Sequence, residues 1–509
     1  MLQRRVHFNV NELACRAAKI MGARTCVKIE KYPDGMYNKS MLLTMDNGSQ
    51  VVARVPNSNA GLPHVTTASE VATMDFARNV LGTPVPRDLA WSSKAQENSV
   101  GAEYIIMEKV SGIELEHAWP KMNIKDRVAV VKAIAGFQKA WTSISFKKYG
   151  SLYYSKDLEE TTRNEPLYID TNGSNITDEK FVVGPSTGRE YTDNGRATIN
   201  FSRGSWKSLE DYHLGIGHRE IACVNQLPRL PKSPIRLCGP GIYQPTREGK
   251  LKALDCYLKL IRFLLPTDRS NSSAHLWHGD LHVANIFVDP SEPTKIVGLI
   301  DWQSTELAPL HFHARQPQII DYEGPPVHGL ERPQPPSNLE KLEVHEKKHA
   351  ETLYLQQSLC SLYNTLTHHQ NPQLYAAIEF QQTTSHLLLL LVRNLLIDGE
   401  ATYLLQVADL EATWGTLPGT KDSNFPFSFS AKEREEIDAD VEGAVRGMEA
   451  MRGIRDSLGD LFPEQGIVRP DQYEETLNAL AHIKDQVIQE FAKTEHEREE
   501  WQRVWPFGT

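Results

Sequence analysis

Two carboxylates and an amide, Asp280, Asn285 and Asp301, fall close together in the chain in an order that suits phosphoryl transfer. That reaction needs one carboxylate beside the attacking hydroxyl. It also needs hard oxygen ligands that hold magnesium against nucleotide phosphates. In His278-Gly279-Asp280-Leu281-His282-Val283-Ala284-Asn285 the first carboxylate and the amide are five positions apart, in what reads as a loop. Two apolar runs follow, Ile286-Phe287-Val288 and Ile296-Val297-Gly298-Leu299-Ile300, and the second delivers Asp301-Trp302. Runs of that kind form a hairpin that can be buried while its ends present polar groups. Asp280 is therefore the candidate base or orienting group for an acceptor hydroxyl. Asn285 and Asp301 are the candidate magnesium ligands, and His278 is suited to brace the turn.

Such a site needs a cover for the phosphates and a cation to meet them. The chain opens with a short helix (11–21) and three strand-like runs, 27–32, 40–45 and 50–56, the last two joined by Asn47-Gly48. Asn-Gly supplies the positive φ angles of a tight hairpin. The first turn, Pro33-Asp34-Gly35-Met36-Tyr37-Asn38-Lys39, is in the position of a phosphate-covering loop, with Gly35, Asn38 and Lys39 as candidate nucleotide contacts. Taken alone, its single glycine suits an ordinary hairpin turn better. Arg54, on the third strand, is the candidate phosphate cation. Glu70, in the expected first turn of a helix over 67–81, is a candidate partner for Arg54, although a carboxylate there also suits the helix dipole. Pro84-Val85-Pro86 ends that segment, and strands at 89–92 and 102–107 lead into Glu108-Lys109-Val110 and Gly112. This crossing reads as a hinge at which backbone groups of Glu108 and Val110 would read an adenine.

The expected organisation is a β-rich nucleotide-binding lobe (1–107), a hinge (108–112), a catalytic lobe (113–336) and a helical extension of it (337–509). Within the catalytic lobe, a helix over 125–144 precedes a polar, Gly/Asn/Thr-rich insertion at about 151–208, with strand-like pieces at 180–183 and 198–201. Helices are expected at 206–225 and 251–265. A Pro-rich stretch, 325–336, is followed by helices at 339–366 and 372–414. A third of these C-terminal helices is marked by Ile437, Val441, Ala444, Met448 and Met451. A fourth begins at Tyr473 and ends in a charged run, 493–503, read as a solvated face.

Composition narrows the class. The 509 residues are 40% hydrophobic and 24% charged, as in ordinary globular proteins. A formal charge of -10 argues against a nucleic-acid partner but leaves room for a local basic cleft. No apolar run reaches the roughly 18 residues of a membrane span. Six scattered cysteines without a Cys-x-x-Cys pair fit a reducing, intracellular compartment. The Asn-x-Ser/Thr triplets are then chance matches. Arg4 and Arg5 hint at a targeting segment, although Glu12 follows soon after. A zinc hydrolase built on His278, Asp280, His282, His311 and His313 is the weaker alternative, because these residues lack a zinc-ligand spacing.

His278-Gly279-Asp280 with Asn285, followed by Ile300-Asp301-Trp302, resembles the signature of the aminoglycoside phosphotransferase family, which has a protein-kinase-like fold. Pro84-Val85-Pro86 and Met107-Glu108 share the likeness, which covers about 25–320. More narrowly, Tyr37-Asn38-Lys39, Val52-Ala53-Arg54-Val55-Pro56, Ser69-Glu70-Val71-Ala72-Thr73-Met74 and Arg203-Gly204-Ser205-Trp206 resemble the fungal group of the altered inheritance of mitochondria protein nine. By that resemblance Arg54 replaces a more common lysine, and a richer glycine loop is reduced to Pro33-Asp34-Gly35-Met36. The resemblance implies a two-lobed α+β fold with a small antiparallel β N-lobe and an enlarged, mainly helical C-lobe. It also implies use of ATP and Mg2+, a small-molecule hydroxyl as acceptor, and residence in the mitochondrion, with the cytoplasm as the alternative. The thin glycine loop and Arg54 keep open a nucleotide-binding scaffold with little or no activity.

Overall fold

Alternating runs near the start of the chain build one antiparallel sheet. Its strands are β1 (Cys26–Lys31), β2 (Asn38–Met45), β3 (Gln50–Pro56), β4 (Asp88–Ser92) and β5 (Tyr104–Glu108), in the order β1-β2-β3-β5-β4. These elements come from a computed structural model that describes residues 5–33, 35–158, 165–337, 339–463, 468 and 470–507. Arg4 of the hinted targeting segment, Asp34 of the first turn and 159–164 of the insertion lie outside the described residues. Gly48 closes the β2–β3 hairpin at φ +82°, the conformation that turn demands. Helix α1 (Val10–Ile20) covers one face of the sheet, where Leu13 and Ala17 pack with Met41, Leu43, Val51, Ala53 and Val55. The period of two along β3 then leaves Val52 and Arg54 on the opposite face.

Helix α2 (Val65–Asn79) starts two residues earlier than expected, so Glu70 falls in its second turn. The N-terminal dipole, which acts within the first turn, therefore does not account for Glu70. Burial of α2 is nearly complete, and the insertion supplies much of its cover. Strands Ser151–Tyr154 and Phe181–Gly184 pair beside it. Phe76 packs edge-on against Phe181 and Tyr168. The Tyr154 hydroxyl donates to Asp75 Oδ2 at 2.6 Å, and Lys180 Nζ lies 2.5 Å from the same carboxylate. The expected strand at 198–201 does not form. A 3-10 turn, Arg196–Thr198, takes its place, led in by Gly195 at φ +85° and closed by Thr198 Oγ1 donating to Gly195 O at 2.9 Å.

The chain divides into two units. One comprises Met1–Asp193, Arg203–Tyr212 and Pro266–Thr383, and the other Asn194–Ser202, His213–Leu265 and Thr384–Thr509. The first unit is a two-lobed kinase-like α+β fold. Its small lobe is the sheet with α1 and α2, and its larger lobe is dominated by helices such as Ile124–Thr142 and Val344–Gln370. The two lobes are stitched near the 108–112 crossing. Leu299 N–H donates to Pro84 O at 2.7 Å. A Cβ on Gly112 would lie 2.7 Å from Val288 O, and one on Gly298 would lie 2.6 Å from Val110 Cγ1, so neither position has room for a side chain. Beneath the hairpin, Trp141 stacks edge-on with Trp277 and Trp302, and its Nε1 donates to Thr83 Oγ1 at 2.9 Å.

The second unit is helical, and its interior holds charge. The Arg196 and Arg219 guanidiniums converge on Glu220, each at 2.9 Å, and Lys250 Nζ meets Glu400 Oε2 at 2.8 Å. All five groups are buried, a state that requires such pairing. The single helix expected over 372–414 is instead Pro372–Phe380, Thr384–Leu391 and Glu400–Thr413. Thr383 Oγ1 turns back onto Phe380 O, and Gly399 takes φ +97°, so both breaks have local causes. The last expected helix stops at Phe491. Thr494 and Glu497 form a capping box that starts a new helix, Glu495–Val504. That charged helix is anchored by Trp501, which is fully buried.

Replacing Trp141 removes both ring packing and a buried hydrogen bond. We predict that Trp141→Ala costs about 3–5 kcal/mol in urea unfolding. Trp141→Phe should lose less, since it keeps ring contacts. A loss below about 1 kcal/mol for the alanine variant would contradict this packing role.

Candidate functional site

The site is organised by Arg54. Its Nη1 donates to Glu70 Oε1 at 2.6 Å and its Nη2 to Asp301 Oδ1 at 2.8 Å. Strand β3 contributes the cation, α2 one carboxylate and the end of strand Ile296–Leu299 the other. Arg54 and Glu70 are buried, whereas Asp301 is partly exposed. Asp301 sits at φ +66°, a left-handed conformation that aspartate tolerates better than most residues. Burial opposes the charge on Arg54, yet Glu70 and Asp301 together raise its pKa above the usual value. Burial pushes Glu70 up, to about 7, against the pull of Arg54 and with a further push from Asp301. Burial also pushes Asp301 upward, but Arg54 outweighs it and holds this carboxyl below its ordinary range.

The loop bearing Asp280 is tied to the same strand end. His278 is completely buried. Its Nδ1 accepts from Asp280 N–H at 3.2 Å, so Nε2 carries the proton and donates to Ile300 O at 2.8 Å. Burial lowers the His278 pKa and keeps the ring neutral, as this pattern requires. The ring packs edge-on against Trp302, at 4.6 Å between centroids. Asn285 Nδ2 donates to Asp280 O at 2.9 Å, and Asn285 O accepts from Ile300 N–H at 3.0 Å. The Asp280 side chain is exposed, with its Oδ2 3.5 Å from His282 Nε2.

Arg54, Asn285 and Asp301 border a cleft of about 580 Å³. Of the residues singled out in the sequence, Gly35, Asn38, Arg54, Glu108, Val110, Asn285 and Asp301 line it, whereas Lys39, Glu70 and Asp280 do not. Lys39 shares the strand parity of the core residues Met41 and Leu43. Glu70 lies behind Arg54, and Asp280 lies beyond Asn285 in its loop. In the 108–112 crossing, the Glu108 carboxylate is held by Arg87 Nε at 2.6 Å, and Glu108 N–H donates to Arg87 O at 2.9 Å. Val110 backbone groups have no hydrogen-bond partner among the described residues. Asn285 and Asp301 offer one amide oxygen and one carboxylate oxygen, donors of the hard kind magnesium takes. Asn285 Nδ2 and Asp301 Oδ1 are already bonded, which leaves Asn285 Oδ1 and Asp301 Oδ2 as the atoms suited to a cation. Two histidines of the alternative hydrolase are engaged with backbone carbonyls. His278 bonds Ile300 O, and His311 Nδ1 lies 3.0 Å from Asn271 O.

Three contributors were not anticipated from the sequence. Gln303 accepts from Asn38 Nδ2 at 2.6 Å and donates to Ala60 O at 2.8 Å, linking the first turn to the Asp301 segment. Arg189, from the insertion, lies 3.9 Å over the Tyr37 ring and donates to Asn59 O at 2.6 Å. Arg315 donates to Gly279 O, next to Asp280. Only Gln303 carried a sequence signal, its position two residues after Asp301.

Residues 229–312, which include Asp280, Asn285 and Asp301, match the model of the phosphotransferase enzyme family. The resemblance read from the motif holds. A subtelomeric hrmA-associated cluster protein of Aspergillus fumigatus is 27% identical over 511 aligned residues, covering 95% of this chain and 97% of its own. The altered inheritance of mitochondria protein 9, mitochondrial, of Candida tropicalis is 24% identical over 476, covering 86% of this chain and 74% of its own. The crystal structure of aminoglycoside phosphotransferase APH(4)-Ia aligns with 85% of this chain and 98% of its own at 12% identity, with a TM-score of 0.36.

A carboxyl whose pKa is higher folded than unfolded holds its proton more tightly when folded. The stability that Glu70 contributes should therefore fall as pH rises from 4.5 toward 7. In chemical unfolding across that window, wild type should lose on the order of 3 kcal/mol relative to Glu70→Gln. A difference that stays flat or grows with pH would contradict the environment described for Glu70.

Proposed function

We propose that this chain transfers a phosphoryl group from magnesium-bound ATP to a hydroxyl of a small molecule. One observation carries the reading. Arg54 joins Glu70 to Asp301 on the wall of a cleft that Asn285 and the hinge residues also line. Asn285 Oδ1 and Asp301 Oδ2 are the atoms that would hold the cation. When bound, magnesium would offset phosphate charge and hold the nucleotide for in-line attack. Glu70 fixes Arg54, and Arg54 keeps Asp301 ionised and oriented. Asp280 would aim the acceptor hydroxyl and accept its proton as oxygen bonds to phosphorus and the bond to the leaving diphosphate breaks. The backbone of Val110 is free to meet an adenine, and 108–112 would act as the hinge between a nucleotide lobe and a catalytic lobe. On this reading Arg189 and Tyr37 cap the phosphate end of the cleft. The mitochondrial names among the relatives support a mitochondrial location, which fractionation would test. Among the described residues, no helix is long and apolar enough to cross a membrane.

A second reading is favoured by one feature. Both Nη groups of Arg54 are bonded to carboxylates, so the cation that would meet phosphate is largely committed inside the protein. A nucleotide-binding scaffold with weak or no transfer would fit that state.

A screen of small hydroxyl compounds with ATP and magnesium would find the acceptor. Asp280→Ala should then reduce transfer by about 10²–10⁴-fold while leaving AMP-PNP affinity close to wild type. Transfer that survives the substitution would remove Asp280 from the mechanism. AMP-PNP binding without any turnover would favour the scaffold.

A further inference from the structure

Behind the hinge lies a second cavity of about 650 Å³. Glu108, Lys109 and Val110 form part of its wall and also part of the wall of the nucleotide-type cleft. The charged residues lining it are Arg78, Arg87, Lys109 and one carboxylate, Glu108. Glu108 is divided between two guanidiniums, with Arg87 Nε at 2.6 Å and Arg78 Nη1 at 3.7 Å. Arg87 commits its Nε and backbone N–H to that carboxylate, and its two Nη groups have no partner among the described residues. Lys109 Nζ donates to the neutral Gln50 Oε1 at 2.9 Å and meets no carboxylate among the described residues. Three cations against one anion leave a formal surplus of two positive charges. That surplus stands out in a chain whose formal charge is -10.

We propose that this cavity is a binding site for a small phosphate-bearing dianion, separate from the nucleotide-type cleft. A guanidinium fork with open N–H groups and an ammonium group nearby match phosphate oxygens in charge and in donor geometry. A fixed polar wall, Gln50 and the Glu108 carboxylate, orients the two cations and shares out their charge without neutralising it. The volume exceeds that of inorganic phosphate, so a phosphorylated metabolite is the fitting class. Val110 packs against the hairpin at Gly298, so an occupant of this cavity would bear on the segment that also walls the cleft.

The test uses the full chain and inorganic phosphate at low ionic strength. Isothermal titration should show one phosphate bound to wild type. The Arg87→Gln/Lys109→Gln double variant should weaken it about tenfold or more. Both side chains are exposed, so the substitutions leave the fold alone. Phosphate should also protect Lys109, but not Lys39, from acetylation read by mass spectrometry. Unchanged affinity in the double variant, protection of Lys39 in place of Lys109, or no phosphate binding to wild type would each overturn the proposal.

Discussion

A single buried guanidinium sets the geometry on which the site depends. Arg54 reaches a helix carboxylate with one nitrogen and the carboxylate at the end of a distant strand with the other. Arginine can do this because its planar fork presents two donors in fixed divergence, whereas a lysine ammonium is a single point. A buried ion of either sign is costly alone, so each member of the triad stabilises the others. Burial pushes Glu70 up to about 7 against the pull of Arg54 and with a smaller push from Asp301, whereas Arg54 outweighs burial at Asp301 and holds it low. The partly exposed Asp301 is thereby kept ionised at the cleft.

The rest of the first unit holds these three groups in place. The polar insertion clamps α2 through Phe181, Tyr154 and Lys180, and α2 carries Glu70. Behind Asp301, the neutral His278 ring and Trp302 fasten the loop to the strand end. The absence of side chains at Gly112 and Gly298 lets the 108–112 crossing lie directly on the hairpin. A rigid support of this kind suits catalysis by positioning and electrostatics, in which little motion is left to be fixed at the moment of reaction.

Much of the site could be read from local spacing. Asp280, Asn285 and Asp301 lie within one loop and one hairpin, bounded by apolar runs whose burial is predictable. The pairing of Arg54 with Glu70 was also accessible, because strand alternation and a following helix bring them together. The bridge to Asp301 was not, since 247 positions separate the partners and no periodicity links them. The cover that Tyr154 and Phe181 of the insertion give α2 was not legible for a similar reason, since those contacts join segments far apart in the chain. The break after Phe491 was legible in Thr494 and Glu497, a capping pair that lies inside the run of charge.

Metal-dependent nucleotide binding at Asp301 is the most direct measurement of this account. Electron paramagnetic resonance can follow Mn2+ with AMP-PNP in wild type and in Asp301→Asn. The account predicts a bound metal–nucleotide complex in wild type and affinity about tenfold weaker or worse in the variant. Equal affinity in the two proteins would contradict it.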